Sequence, residues 1–122
     1  MFLNKFTGAI ALLALSSIAA AQEAALSYLA SPAVYTLLGE DANFRVILAT
    51  WQPGQKDVQH SHSAAVAYRL TDCTSRFFGA DGKVLGEGSA KAGTTSLQGM
   101  IGSHSLQNTG TAECKVLLVE RK

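Results

Sequence analysis

Two histidines one residue apart, His60 and His62, close the stretch GQKDVQHSH that begins at Gly54. On an extended chain, residues i and i+2 face the same way. Two imidazoles would therefore stand on one side of a strand, roughly 7 Å apart along it. Imidazole suits zinc, iron, copper and nickel, and two on one face hold an ion if a third donor arrives from elsewhere. The chain has one other histidine, His104. The chemistry on offer is thus a three-imidazole metal site, provided the fold carries His104 to the pair. No paired-carboxylate, GxSxG or phosphate-loop signature competes with it, and the glycines between Gly79 and Gly102 are spread over several turns.

The elements that must position these residues are short and β-like. Residues 44–51 (FRVILATW) are rich in strand formers and end at Pro53-Gly54. Further strands are expected over 34–38, 58–62, 64–70, 75–78, 84–88, 95–98, 104–107 and 115–120. Turn residues such as Asp81-Gly82, Ala92-Gly93 and Asn108-Thr109-Gly110 separate them. Residues 22–30 form a lead-in with one or two helical turns. Strands about ten residues apart, without sustained helical periodicity, predict an all-β sandwich or barrel.

Residues 1–21 read as a secretory signal peptide. Lys5 precedes an apolar or small run broken only by Thr7, Ser16 and Ser17, and Ala19-Ala20-Ala21 satisfies the small-x-small cleavage rule. The run is shorter than the ~20 residues that span a bilayer, and no basic flank follows it. That argues against a membrane anchor, and no cysteine lies near the cleavage point to carry a lipid. The expected protein is periplasmic or secreted, with no membrane association after cleavage. The remaining residues 22–122 suffice for one domain. Ten Lys and Arg less Lys5 leave nine, against nine Asp and Glu. A neutral chain without a basic stripe argues against nucleic acid as a partner. Cys73 and Cys114 enter an oxidising compartment, where a pair usually becomes a disulfide.

Gly54, His60 and His62 carry the spacing of the first motif of the cupin superfamily. In that motif three or four residues separate the second His from a Glu, and six more separate the Glu from a Gly; here those places hold Val66 and Cys73. Gly93, Gly99, Ile101, His104 and Asn108 follow the second motif, with its Pro replaced by Gly99 and its inner Gly one place late as Gly102. The chain therefore resembles a small single-domain cupin across residues 34–119. The resemblance implies a jelly roll of two antiparallel sheets, with His60, His62 and His104 meeting inside the barrel as metal ligands. It implies a divalent transition metal, a small-molecule ligand or substrate, and a homodimer, since small cupins often pair through edge strands. Because Val66 stands in the Glu position, the ligand set suits zinc, iron, copper or nickel better than manganese. Three-histidine members of the family oxidise small molecules, so a metal-dependent oxygenase or related enzyme is one expectation, and a non-catalytic metal- or ligand-binding module is the other.

On this alignment Val66 should point into the pocket, and Tyr68 with it. Tyr68 is the one catalytic candidate, with packing in the barrel wall as its competing role. Gln98 and Gln107 are candidate polar lining. Only one of Phe44 and Trp51 can be core, and Phe77 and Phe78 split likewise. Arg45, Arg69 and Arg76 are placed on exposed faces. In the jelly roll the end of the 64–70 strand adjoins the start of the last strand, so the resemblance also implies a Cys73–Cys114 disulfide.

Overall fold

A computed structural model describes residues 23–122. The signal-peptide reading and its cleavage point lie outside these residues. One helical turn, α1 (Ser27–Ala30), precedes nine strands: β1 (Tyr35–Glu40), β2 (Phe44–Trp51), β3 (His60–His62), β4 (Ala65–Arg69), β5 (Cys73–Phe78), β6 (Val84–Ala90), β7 (Thr95–Gln98), β8 (Ile101–Asn108) and β9 (Cys114–Arg121). They form two antiparallel sheets, ordered β1-β2-β9-β4-β7 and β3-β8-β5-β6. This is a jelly-roll barrel.

The inner face of β2 carries Arg45, Ile47, Ala49 and Trp51, all buried. Burying a side chain such as Ile47 stabilises by roughly 1.5–3 kcal/mol. Leu118 of β9, Ala67 of β4, Tyr35 of β1 and the two half-cystines pack against them. Trp51 is thus the core member of its strand, and Phe44 stands 50% exposed. Gly54 and Gly93 adopt positive φ, 78° and 81°. These are left-handed turns that other residues enter at a cost, so both motif glycines have a backbone reason to be there.

Several expectations shift. The histidine strand begins at His60 rather than 58, because residues 56–58 run irregularly beside β8: Asp57 N donates to Leu106 O, and Lys56 makes an isolated bridge to Gln107. β8 begins at Ile101, three residues earlier than expected. A register shift lies between its pairings His60↔His104 and His62↔Ile101, where two steps on β3 face three on β8. Cys73 opens β5 instead of trailing β4. Its disulfide to Cys114, with Cα atoms 5.1 Å apart, therefore staples one sheet to the other. The lead-in also has a place: Leu26 bridges Ser61 in parallel, and Ser61 N and Oγ donate to Ala25 O and Ala24 O. That segment lies along the free edge of β3.

Candidate metal centre

His60 and His62 come from β3, and His104 from the neighbouring β8, directly opposite His60. One ring nitrogen from each lies within 4.8 Å of the other two. The ring centroids are 4.3 to 5.2 Å apart. All three side chains sit inside the barrel, and His60 is fully buried.

The hydrogen bonds fix how the rings are used. Nδ1 of His60 is 2.7 Å from Val58 O, and Nδ1 of His104 is 2.9 Å from Gly102 O. Carbonyl oxygens only accept, so both rings carry their hydrogen on Nδ1. Nδ1 of His62 is 2.6 Å from Oε1 of Glu120 on β9, which takes the same role. A neutral ring protonated at Nδ1 offers a lone pair at Nε2. The Nε2 atoms of His60 and His62 then face each other at 3.1 Å with no hydrogen between them. Two nitrogens on one zinc ion, at about 2.0–2.1 Å each and near the tetrahedral angle, would be about 3.3 Å apart. The pair is therefore spaced for a shared cation.

A third electron-rich atom borders that position. The Tyr35 hydroxyl lies 3.1 Å from His60 Nε2 and gives its hydrogen to Asp57 Oδ2 at 2.8 Å. Asp57 is held by Trp51 Nε1 at 3.1 Å and by the Leu106 amide at 2.7 Å. Burial pulls His60 down to about 3, and it lowers His104 as well. Burial raises Asp57, and the same cause, with Asp57 beside it, raises Tyr35. His60 and His104 are thus held neutral at physiological pH, and the cation that suits this cluster is a metal ion rather than a proton. With three nitrogens and no carboxylate directed at the centre, the donor set fits zinc, iron(II), copper or nickel.

Behind His62 lies a second buried pair. Arg45 Nη1 stands 3.9 Å from Glu120 Oε2, and the Tyr28 ring lies 5.6 Å from the guanidinium carbon. Arg45 is 7% exposed, so its placement on an exposed face is corrected. Position 45 lies on the inner face of β2, opposite Glu120 in the register.

The side chains of β4 also depart from expectation. Val66 and Tyr68 are each 41% exposed and point outward, while Ala65 and Ala67 point in. Tyr68 is therefore not at the centre, and Val66 does not occupy the ligand position. Ala67, one residue on, lines the cavity beside His62 and His104. The structure supplies its site phenol from Tyr35 instead. Tyr35, Asp57 and Glu120 gave no spacing signal in the sequence, because each reaches the histidines from a different, distant segment.

The centre opens into a cavity of about 310 Å³ between the sheets. His62, His104 and Tyr35 line one side, and β6 and β7 the other, through Gly88, Ser89, Ala90, Ser96 and Gln98. Gln98 is thus lining as expected. Gln107 is not, since its amide donates to Gly54 O. Phe77 lines the cavity, whereas Phe78 lies under Lys56 Nζ at 3.6 Å. Asn108 is a turn clamp: its Nδ2 donates to Trp51 O and Ala112 O, and its Oδ1 accepts from Gly110 N.

The two sheets and the three-histidine interior define a cupin-fold domain, and solved structures agree. The chain is similar to a cupin domain from Bordetella pertussis, with a TM-score of 0.65 and 18% identity over 73% of this chain and 92% of that one. It is also similar to an RmlC-like cupin family protein with a double-stranded β-helix fold from Methanocaldococcus jannaschii, with a TM-score of 0.57 and 12% identity over 93% of both chains. A protein with a double-stranded β-helix domain from Klebsiella pneumoniae matches with a TM-score of 0.54 at 18% identity, over 70% of this chain and 73% of that one. At these identities the likeness is one of fold. No family model and no curated protein matches the chain.

Proposed function

We propose that this chain binds one divalent transition metal through His60, His62 and His104 and presents it to a small molecule in the barrel cavity. One observation carries the reading: every Nδ1 is tied to an oxygen acceptor, so the remaining nitrogens converge with their lone pairs free. Ligating histidines are commonly oriented in this way. When bound, such an ion would supply Lewis acidity and, if redox-active, a route to oxygen chemistry. The chain's own residues orient the imidazoles, keep water away with apolar walls, and hold a proton at the Tyr35 hydroxyl.

The Tyr35–Asp57 pair favours the finer reading, a metal-dependent oxygenase or related enzyme, over a non-catalytic binding module. A hydroxyl 3.1 Å from a ligand nitrogen, backed by a buried carboxyl group, can pass or hold a proton for a bound molecule. Export to the periplasm or beyond is part of the proposal, and the Cys73–Cys114 bridge, typical of non-reducing compartments, supports it.

Elemental analysis of protein purified from the periplasm, with thermal melts before and after chelation, tests the metal. About one ion per chain is expected, with a lower Tm after chelation and loss of binding in His104→Ala. Protein that arrives metal-free and takes up none of zinc, iron(II), copper or nickel would sink the reading. Oxygen uptake by the iron-loaded protein, compared with Tyr35→Phe, separates enzyme from module.

A further inference from the structure

Among the described residues, Arg69 is the one Arg or Lys lining the cavity, and no Asp or Glu lines it. Residues 65, 67 and 69 of β4 turn inward, so Arg69 faces the interior, half-buried. Arg45 and Arg76 each have a carboxylate partner, Glu120 and Glu87. The Arg69 side chain has a hydroxyl: Nη1 donates to Ser96 Oγ at 3.1 Å. A guanidinium carries five N–H donors in a planar fork. Most of that fork is left to face a cavity whose lining among the described residues carries no carboxylate.

Its position relative to the histidines follows from the register. Tyr35 pairs with Ala49, Ala49 with Val116, and Val116 with Arg69. Tyr35 and Arg69 thus end one row across four strands, about 14 Å apart at their Cα atoms. The Tyr35 hydroxyl borders His60, while Arg69 leans on the edge strand β7 at the mouth. Ala67, Phe77, Leu106, Val116 and Leu118 wall the space between.

The geometry points to Arg69 as an anion-recognition residue, and to a small monocarboxylate with an apolar body as the ligand class of this cavity. The carboxylate pairs with the Arg69 fork at the mouth, and the far end of the molecule is directed at the histidines. One cation and apolar walls match a single negative charge better than a dianion, whose second charge would be buried unpaired. The inference rests on the reading of the cavity as the ligand site of a metal centre.

Calorimetric titration of the cobalt-loaded protein with valerate, valeramide and inorganic phosphate tests it. Valerate should bind at least tenfold more tightly than its neutral amide and more tightly than phosphate. Arg69→Met should erase the preference while leaving cobalt uptake unchanged, and Arg69→Lys should restore part of it. Equal binding of valerate and valeramide by the wild type, or a preference that survives Arg69→Met, would overturn the proposal. Tighter binding of phosphate would overturn the monocarboxylate class. The wild-type comparison does not depend on any variant folding. The same titration on metal-free protein separates the two readings: absence of cobalt uptake defeats the metal site, whereas loss of carboxylate preference in both forms defeats the role of Arg69.

Discussion

His62 owes its orientation to Glu120, whose Oε1 accepts from Nδ1 at 2.6 Å. Removing the charge while keeping the acceptor, as in Glu120→Gln, should lower metal affinity by roughly 10–100-fold. It should also destabilise the fold by about 3–5 kcal/mol, because Arg45 would remain buried without its counter-charge. Adding Arg45→Met should recover stability but not metal affinity, and urea unfolding with parallel metal titrations reads both. The histidines themselves set an acid limit. His60, pulled down to about 3 by burial, stays neutral in the folded state where the unfolded chain protonates near its ordinary 6.5. The unfolded state therefore binds more protons between those values, so stability rises with pH across that window and is lost as the pH falls. His104 is shifted the same way, while Asp57, shifted up, opposes the loss at the acid end. Metal-free protein should unfold at clearly lower urea at pH 5 than at pH 7.5.

The inward face of β4 offers Ala65 and Ala67, which contribute no ligand atom. A carboxylate at Val66 would lie outside the barrel, so Val66→Glu should leave manganese affinity unchanged, whereas Ala67→Glu should raise it if the crowded position folds. Manganese titration of both variants checks the register of the strand. The Cys73–Cys114 bridge joins the sheets across a sequence separation of 41 residues, which corresponds to about 4 kcal/mol of chain-entropy stabilisation; unfolding with and without reductant measures it. Most elements were legible from turn residues and β-formers, and β2 and β7 match their expected bounds. β8 was read three residues short because Gly102 and Ser103 resemble a turn, whereas they lie in the register shift beside His104. The histidines were legible because all three fall at motif spacings. Tyr35, Asp57 and Glu120 were not, because each reaches the histidines from a different segment; nor was buried Arg45, because alternation cannot say which face of FRVILATW is inner when Phe44, Val46 and Leu48 on one face look more apolar than Arg45 on the other.

That reversal extends over the middle of the outer face of the five-stranded sheet. Val46, Val119, Val66 and Leu97 align in one row across four strands, and Leu48, Leu117 and Tyr68 in the next. Leu97 is 83% exposed, with Val66 and Tyr68 at 41% each. A solvated antiparallel face normally alternates to polar residues, and apolar patches of this kind mark interaction sites. The cupin resemblance implies pairing through edge strands; we propose instead that a second copy of the chain packs on this face. Its neutral, apolar rows are self-complementary under a two-fold axis. Light scattering after size exclusion should report a dimer, and Leu97→Arg with Val66→Lys should yield monomers that retain metal. A monomeric wild type would refute this.

The bridge between the sheets also encloses a covalent ring. Residues 73 to 114 close on themselves through Cys73 and Cys114, and the ring contains β5 to β8, including both strands at the cavity mouth. The exposed turns beside Lys83 and Lys91, next to Gly82 and Gly93, lie within it. A protease that cuts once there opens the ring without releasing a fragment. Trypsin-nicked protein should therefore run as one species of nearly unchanged mass until reductant is added, and then as two. The mouth can be cut, or lengthened by insertion, while His104 remains covalently tethered to the half of the barrel that carries His60 and His62.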